Sequence, residues 1–142
     1  MTPNLFLLEE TLHWLRLAQA DLASAELLLT PRTVANSLFH SQQAVEKALK
    51  AVLVWHQRPF PKTHNLAVLR EDCAQVAPDL AASLGPAVSL TRYAVAFRYP
   101  GEPEIPTLED ARSALRLAQM AVQAVLEKLP AEIREGVDQQ QK

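Results

Sequence analysis

Cysteine occurs once, at Cys73, in a chain of 142 residues. One thiol excludes a disulfide framework and a cysteine zinc cluster, and a reducing cytoplasm is the compartment that suits it. Strand formers are also scarce: 2 Ile, 11 Val and 6 Phe and Tyr stand against 23 Leu and 22 Ala, so composition favours an all-α protein. Neither sign of charge dominates. Fourteen basic and 16 acidic side chains leave a net −2, which excludes a protein that holds duplex DNA by cationic excess. No apolar stretch approaches the roughly 18 residues of a membrane span. The Leu5–Leu8 run is too short for a signal peptide and lacks preceding positive charge. No repeat period and no linker is present. With 49% hydrophobic and 21% charged residues the chain has the apolar material of one folded domain. At this length folding buries roughly two-thirds of the unfolded surface without a metal or disulfide staple.

Helical periodicity fills most of the chain. Leu8, Leu12, Leu15, Leu22, Ala25 and Leu29 fall on one face of a first helix over about 5–29. Thr30 is then a candidate N-cap, with Pro31 at the first position of a second helix that reaches about Trp55. Arg58-Pro59-Phe60-Pro61 enforces its end, since a residue before proline is pushed out of the helical region. A third, shorter helix is expected over about 65–76. Gly85-Pro86 breaks the next stretch into a short helix at 80–84 and a segment toward Phe97. The prolines of loop 99–106 exclude helix there, and Thr107-Leu108-Glu109-Asp110 reads as a capping box that opens a last long helix to about Leu129. The expectation is a five-helix up-and-down bundle over residues 1–130, because short connections force neighbours antiparallel. Residues 131–142 read as a loose tail with too little apolar material to pack.

Three places carry chemistry. On the second helix His40, Gln43, Lys47 and Lys50 form a polar stripe with Glu46 beside it, opposite Ala44, Val45, Ala48, Leu49, Val52 and Leu53. The plain reading is a solvated face with Glu46 and Lys50 as an i,i+4 pair. The mixture of His, Gln and two Lys also suits a phosphate and a base edge. Next, Lys62-Thr63-His64-Asn65 stands at a helix start, where free N–H groups and the dipole favour an anion; equally, Thr63 or Asn65 is simply the N-cap. Last comes Arg92-Tyr93-Ala94-Val95-Ala96-Phe97-Arg98-Tyr99-Pro100. Its Arg98 complements a helix C-terminus, and its aromatics serve either as core or as a platform for a base.

His40-Ser41-Gln42-Gln43-Ala44-Val45-Glu46-Lys47-Ala48-Leu49-Lys50-Ala51, then Lys62-Thr63-His64-Asn65-Leu66, then Arg98-Tyr99-Pro100, in that order within a five-helix chain, resemble the HEPN domain family (higher eukaryote and prokaryote nucleotide-binding). The resemblance spans about residues 5–129. It implies an all-α bundle, homodimerisation through helix faces, and a role close to nucleotides or RNA. It also implies pairing with a minimal nucleotidyltransferase in a toxin–antitoxin-like system. The nucleotide-binding residues it suggests are Lys47 and Lys50 for phosphate charge, Lys62 and His64 at the helix start, Arg98 for phosphate and Tyr99 for stacking. No cofactor and no metal is expected.

Many members of that family are metal-independent RNases whose Arg is followed, after four to six residues, by a His. Here the positions after Arg98 hold Pro103, Glu104 and Ile105, and no histidine follows His64. Arg58 and His64 match the spacing formally, but straddle a proline-rich loop. The resemblance therefore implies a binding protein without the usual RNase site. The alternatives are an RNase using His64 or His40 with Arg58 or Arg98, and a purely structural dimeric module.

Overall fold

The computed structural model describes residues 4–140. In chain order it contains α1 (Leu5–Leu27), α2 (Val34–Trp55), α3 (Leu66–Ala74), α4 (Pro78–Ser83), a 3-10 helix (Gly85–Ala94), α5 (Leu108–Lys128) and α6 (Ala131–Gln140). The fold is an all-helical bundle, as expected, and no strand occurs among the described residues.

α2 is the central member: it packs against α1, α3, the 3-10 helix and α5, and 13 of its 22 residues are buried. Its apolar side, Ala44, Val45, Ala48, Leu49, Val52 and Leu53, lies wholly inside. Ser37 pins α2 to α1 by donating its hydroxyl to the Ala25 carbonyl at 2.7 Å.

The helix ends follow local chemistry. Asn4 caps α1 and Asn65 caps α3, each through a side-chain oxygen that accepts first-turn N–H groups. Thr107 and Asp110 form the expected capping box with both reciprocal bonds at 3.0 Å. The bond donated by the Thr107 N–H is the main cause that holds the Asp110 carboxyl below its usual range. α2 ends in a Schellman motif: Gln57 N–H donates to Val54 O and Arg58 N–H to Leu53 O, with Gln57 at φ 53°. A left-handed residue with a Cβ is strained, so Gln57→Gly is expected to raise stability by about 1 kcal/mol, read as a higher midpoint in urea.

Three expectations are corrected. α1 stops at Leu27 and α2 starts only at Val34. Thr30 is therefore not an N-cap; its hydroxyl lies 2.7 Å from that of Thr33, inside a turn. The fourth segment divides at Gly85-Pro86 as anticipated, but the following stretch winds as a 3-10 helix, which brings the helix count to seven among the described residues. The C-terminal segment is not loose through Gln140: Ile133 and Val137 of α6 are buried. Gly136 permits the docking, since a Cβ there would sit 2.7 Å from Leu12 Cδ2. Residues 141–142 lie outside the described residues.

Candidate functional site

Two buried acids organise the polar face of α2. Asp21 reaches across from α1; its Oδ1 accepts His40 Nδ1 at 2.7 Å and its Oδ2 accepts Lys47 Nζ at 2.6 Å. Glu46, only 4% exposed, repeats the pattern within reach of the α2–α3 loop. Its Oε1 accepts His64 Nδ1 at 2.8 Å and Gln42 Nε2 at 3.2 Å, and its Oε2 accepts Lys50 Nζ at 3.0 Å. A carboxylate only accepts, so each imidazole carries its proton on Nδ1 and keeps Nε2 for another partner. Burial pushes the Glu46 carboxyl up, but the bonds from His64, Lys50 and Gln42 outweigh it and hold the group below the usual carboxylate range.

Gln42 explains why the loop sits where it does. Fully buried, it donates to the His64 carbonyl at 3.2 Å as well as to Glu46, and accepts from Gln43 at 2.7 Å. His64 is thus held at its backbone and at Nδ1, while its side chain remains 66% exposed. Lys50 is the opposite case: its ammonium is seated on Glu46 and over the rings of Trp14 and Phe60, 5.7 and 5.5 Å from their centroids.

Arg98 approaches α2 one face-repeat earlier. Its Nη1 donates to Ala94 O at 3.0 Å, and its guanidinium carbon lies 4.2 Å from the Phe39 ring centroid. The bend that allows this is at Phe97, with φ 65°. A bulky residue in the left-handed region is strained; here it is held by a stack on Tyr93 and by Glu102, which accepts the Phe97 N–H at 3.2 Å. Phe39 and Glu46 are seven residues apart on one face, so Arg98 and His64 are anchored about 10 Å apart along the α2 axis.

The six sequence-derived candidates therefore separate into groups. Lys50 and His64 share Glu46, whereas Lys47 shares Asp21 with His40. Arg98 is on the same helix face through Phe39. Lys62 and Tyr99 are exposed. Tyr93 and Phe97, the other aromatics of that segment, pack against the core. Arg58 is not directed at His64: its guanidinium pairs with Asp72 of α3 at 3.2 Å.

Asp21 and Gln42 were not among the candidates. Asp21 had a legible signal, a lone acid on the otherwise apolar side of α1 among Leu15, Ala18 and Ala25; such a residue is buried only when paired. Gln42 had none, because its role depends on where the loop folds. Cys73 takes no part: burial pushes its thiol up to about 12, which keeps it neutral. Among the described residues no group of three or more His, Cys, Asp or Glu side chains could hold a metal ion, and no helix is long and apolar enough to cross a membrane.

A family model described as the HEPN domain matches residues 11–129. The chain belongs to the HEPN domain family. The match takes in α1 from Thr11, through the paired acids and their histidines, to Leu129 at the end of α5; α6 lies beyond it. No curated protein and no solved structure matches this sequence. Membership supports a nucleotide- or RNA-related function in general for this HEPN domain.

Proposed function

We propose that this HEPN domain binds a nucleotide or an RNA phosphate along the polar face of α2, as a homodimer and as the partner of a minimal nucleotidyltransferase in a toxin–antitoxin-like pair. The observation that carries the ligand is His64, held through Nδ1 by a buried carboxylate so that Nε2 faces solvent as a fixed hydrogen-bonding group. Arg98, supported on Phe39, adds a guanidinium suited to bidentate phosphate contact. Lys47 and Lys50 contribute charge from behind, each already balanced by a carboxylate. Lys62 and Tyr99 stand at the margin, where they supply charge and a face for stacking.

Isothermal titration with ATP and with short single-stranded RNA tests the ligand. Binding is expected, with His64→Ala and Arg98→Ala each weakening it about tenfold and added salt weakening it further. No heat with either ligand, or affinity indifferent to both substitutions, removes the proposal. Copurification with a coexpressed minimal nucleotidyltransferase tests the partner separately.

The same carboxylate-held imidazoles favour a second reading, a metal-independent RNase. In it His64 or His40 moves the proton of the ribose 2′-OH and Arg98 holds the phosphate; Arg58 is committed to Asp72. RNA cleavage in EDTA that His64→Ala or His40→Ala abolishes would establish it over simple binding.

A further inference from the structure

The 3-10 helix is the least ordinary element of the bundle. Runs of this winding seldom exceed three or four residues, yet here it continues for ten, Gly85–Ala94, and buries Ala87, Leu90 and Ala94. With three residues to a turn and about 2 Å of rise per residue, such a segment is about 20 Å long; as an α-helix it would shrink to about 15 Å. Its length and winding therefore set where the chain delivers the residues that follow, the left-handed Phe97 and then Arg98.

Thr91 fastens this element to the other half of the site. Its hydroxyl donates to Val88 O at 2.8 Å, one turn back, and accepts the Leu66 N–H at 3.1 Å. Leu66 is the first residue of α3 and is wholly buried, so its N–H is one of the donors that a helix start leaves without an internal partner. The Asn65 cap takes the Ala67 N–H and leaves this one to Thr91. His64 lies two residues upstream, held from α2 by Glu46 and Gln42. In the other direction Ala94 stands one 3-10 turn beyond Thr91, about 6 Å along the axis, and its carbonyl accepts Arg98 Nη1. A short line of covalent and hydrogen bonds thus runs from the His64 backbone through Thr91 to the Arg98 guanidinium.

We propose that Thr91 is a positioning residue for the ligand: its hydroxyl ties the Arg98 segment to the His64 loop, so that the two groups meet a phosphate-bearing ligand at a fixed separation. The role rests on the ligand reading above, whereas the tie itself is a property of the free protein. His64 and Arg98 are otherwise held by different parts of α2, one through Glu46 and the other through Phe39, and Arg98 follows a strained turn. Thr91→Val nearly keeps the shape of the side chain, removes both of its hydrogen bonds and strands the Leu66 N–H in the core. The α3 start and the 3-10 helix then open independently, and part of the binding energy goes into restoring their spacing.

Amide exchange of the free full chain, together with titration by ATP and short single-stranded RNA, tests this. Thr91→Val is expected to speed exchange about tenfold in two separate segments at once, 64–67 and 92–98, with α1 and α6 at wild-type rates, and to raise the dissociation constant about tenfold. Thr91→Ser keeps the hydroxyl and is expected to stay within about threefold of wild type in both measurements. In a His64→Ala background Thr91→Val should weaken binding by less than about threefold, since a single remaining group has no separation to keep. Circular dichroism checks that each variant folds, and Thr91→Ala replaces Thr91→Val if the latter does not. Exchange that rises at 64–67 while 92–98 keeps wild-type rates overturns the proposal, as does Thr91→Ser as impaired as Thr91→Val, or an equal loss with and without His64. A wild type that gives no heat with either ligand overturns the ligand reading and the positioning with it; a wild type that binds beside an unaffected Thr91→Val overturns the positioning alone.

Discussion

Glu46→Gln is expected to cost about 3 kcal/mol of unfolding free energy at neutral pH and to flatten the acid limb of the stability curve. The cost is large because the carboxylate is buried and three donors converge on it: His64, Lys50 and Gln42. Lys50, its ammonium enclosed by Trp14 and Phe60, would keep its charge with no anion beside it. The pH dependence follows from the direction of the shift. The folded pKa of Glu46 lies below its unfolded value of 4.5, so its contribution is fully present above pH 4.5 and is lost as pH falls through the folded pKa. Urea titrations of wild type and Glu46→Gln should therefore converge as the pH is lowered below 4.5. A gap that stays constant from neutral pH to acid would mean that the carboxylate's ionisation is not what stabilises this end of α2.

Asp21→Ala is expected to destabilise by about 2 kcal/mol, less than Glu46→Gln although it too removes one anion from a lysine and a histidine. The difference is exposure: the side chains of His40 and Lys47 are 30% and 23% exposed, against 11% for Lys50, so both can turn to water once the acid is gone. Because Asp21 comes from α1 while His40 and Lys47 come from α2, its loss should also loosen that helix pair. Faster amide exchange confined to the facing turns of α1 and α2 would register this. If His40→Ala with Lys47→Ala reproduces the whole loss and Asp21→Ala adds nothing to that pair, the three side chains act as one unit.

Much of the architecture was legible from residue types and spacing. The apolar side of α2, the Asn65 cap, the Thr107–Asp110 capping box and the break at Gly85-Pro86 all arise from interactions within four residues, which a linear pattern records. The misreadings had local causes too. Thr30-Pro31 has the composition of a helix start, but the chain uses it as a turn in which Thr33 donates to the Leu28 carbonyl at 2.7 Å. α6 reads as a polar tail because its buried side is only Ile133 and Val137, with the half-buried Gly136 between them, a stripe that becomes apolar surface worth covering once Leu12 is opposite.

The site divides along the same line. His40, Gln43, Glu46, Lys47 and Lys50 on one stripe of one helix is a statement about helical spacing, and the sequence by itself determined it, together with the all-helical class and the HEPN resemblance. Which of those cations are free was decided only by the tertiary structure. It brings Asp21 from α1 to Lys47 and His40, carries His64 from a loop 18 residues away onto Glu46, and lays Arg98 on Phe39. A charge's availability depends on which opposite charge lies within a few ångströms, and that distance is set by how helices far apart in the chain pack together rather than by the order of residues along any one of them.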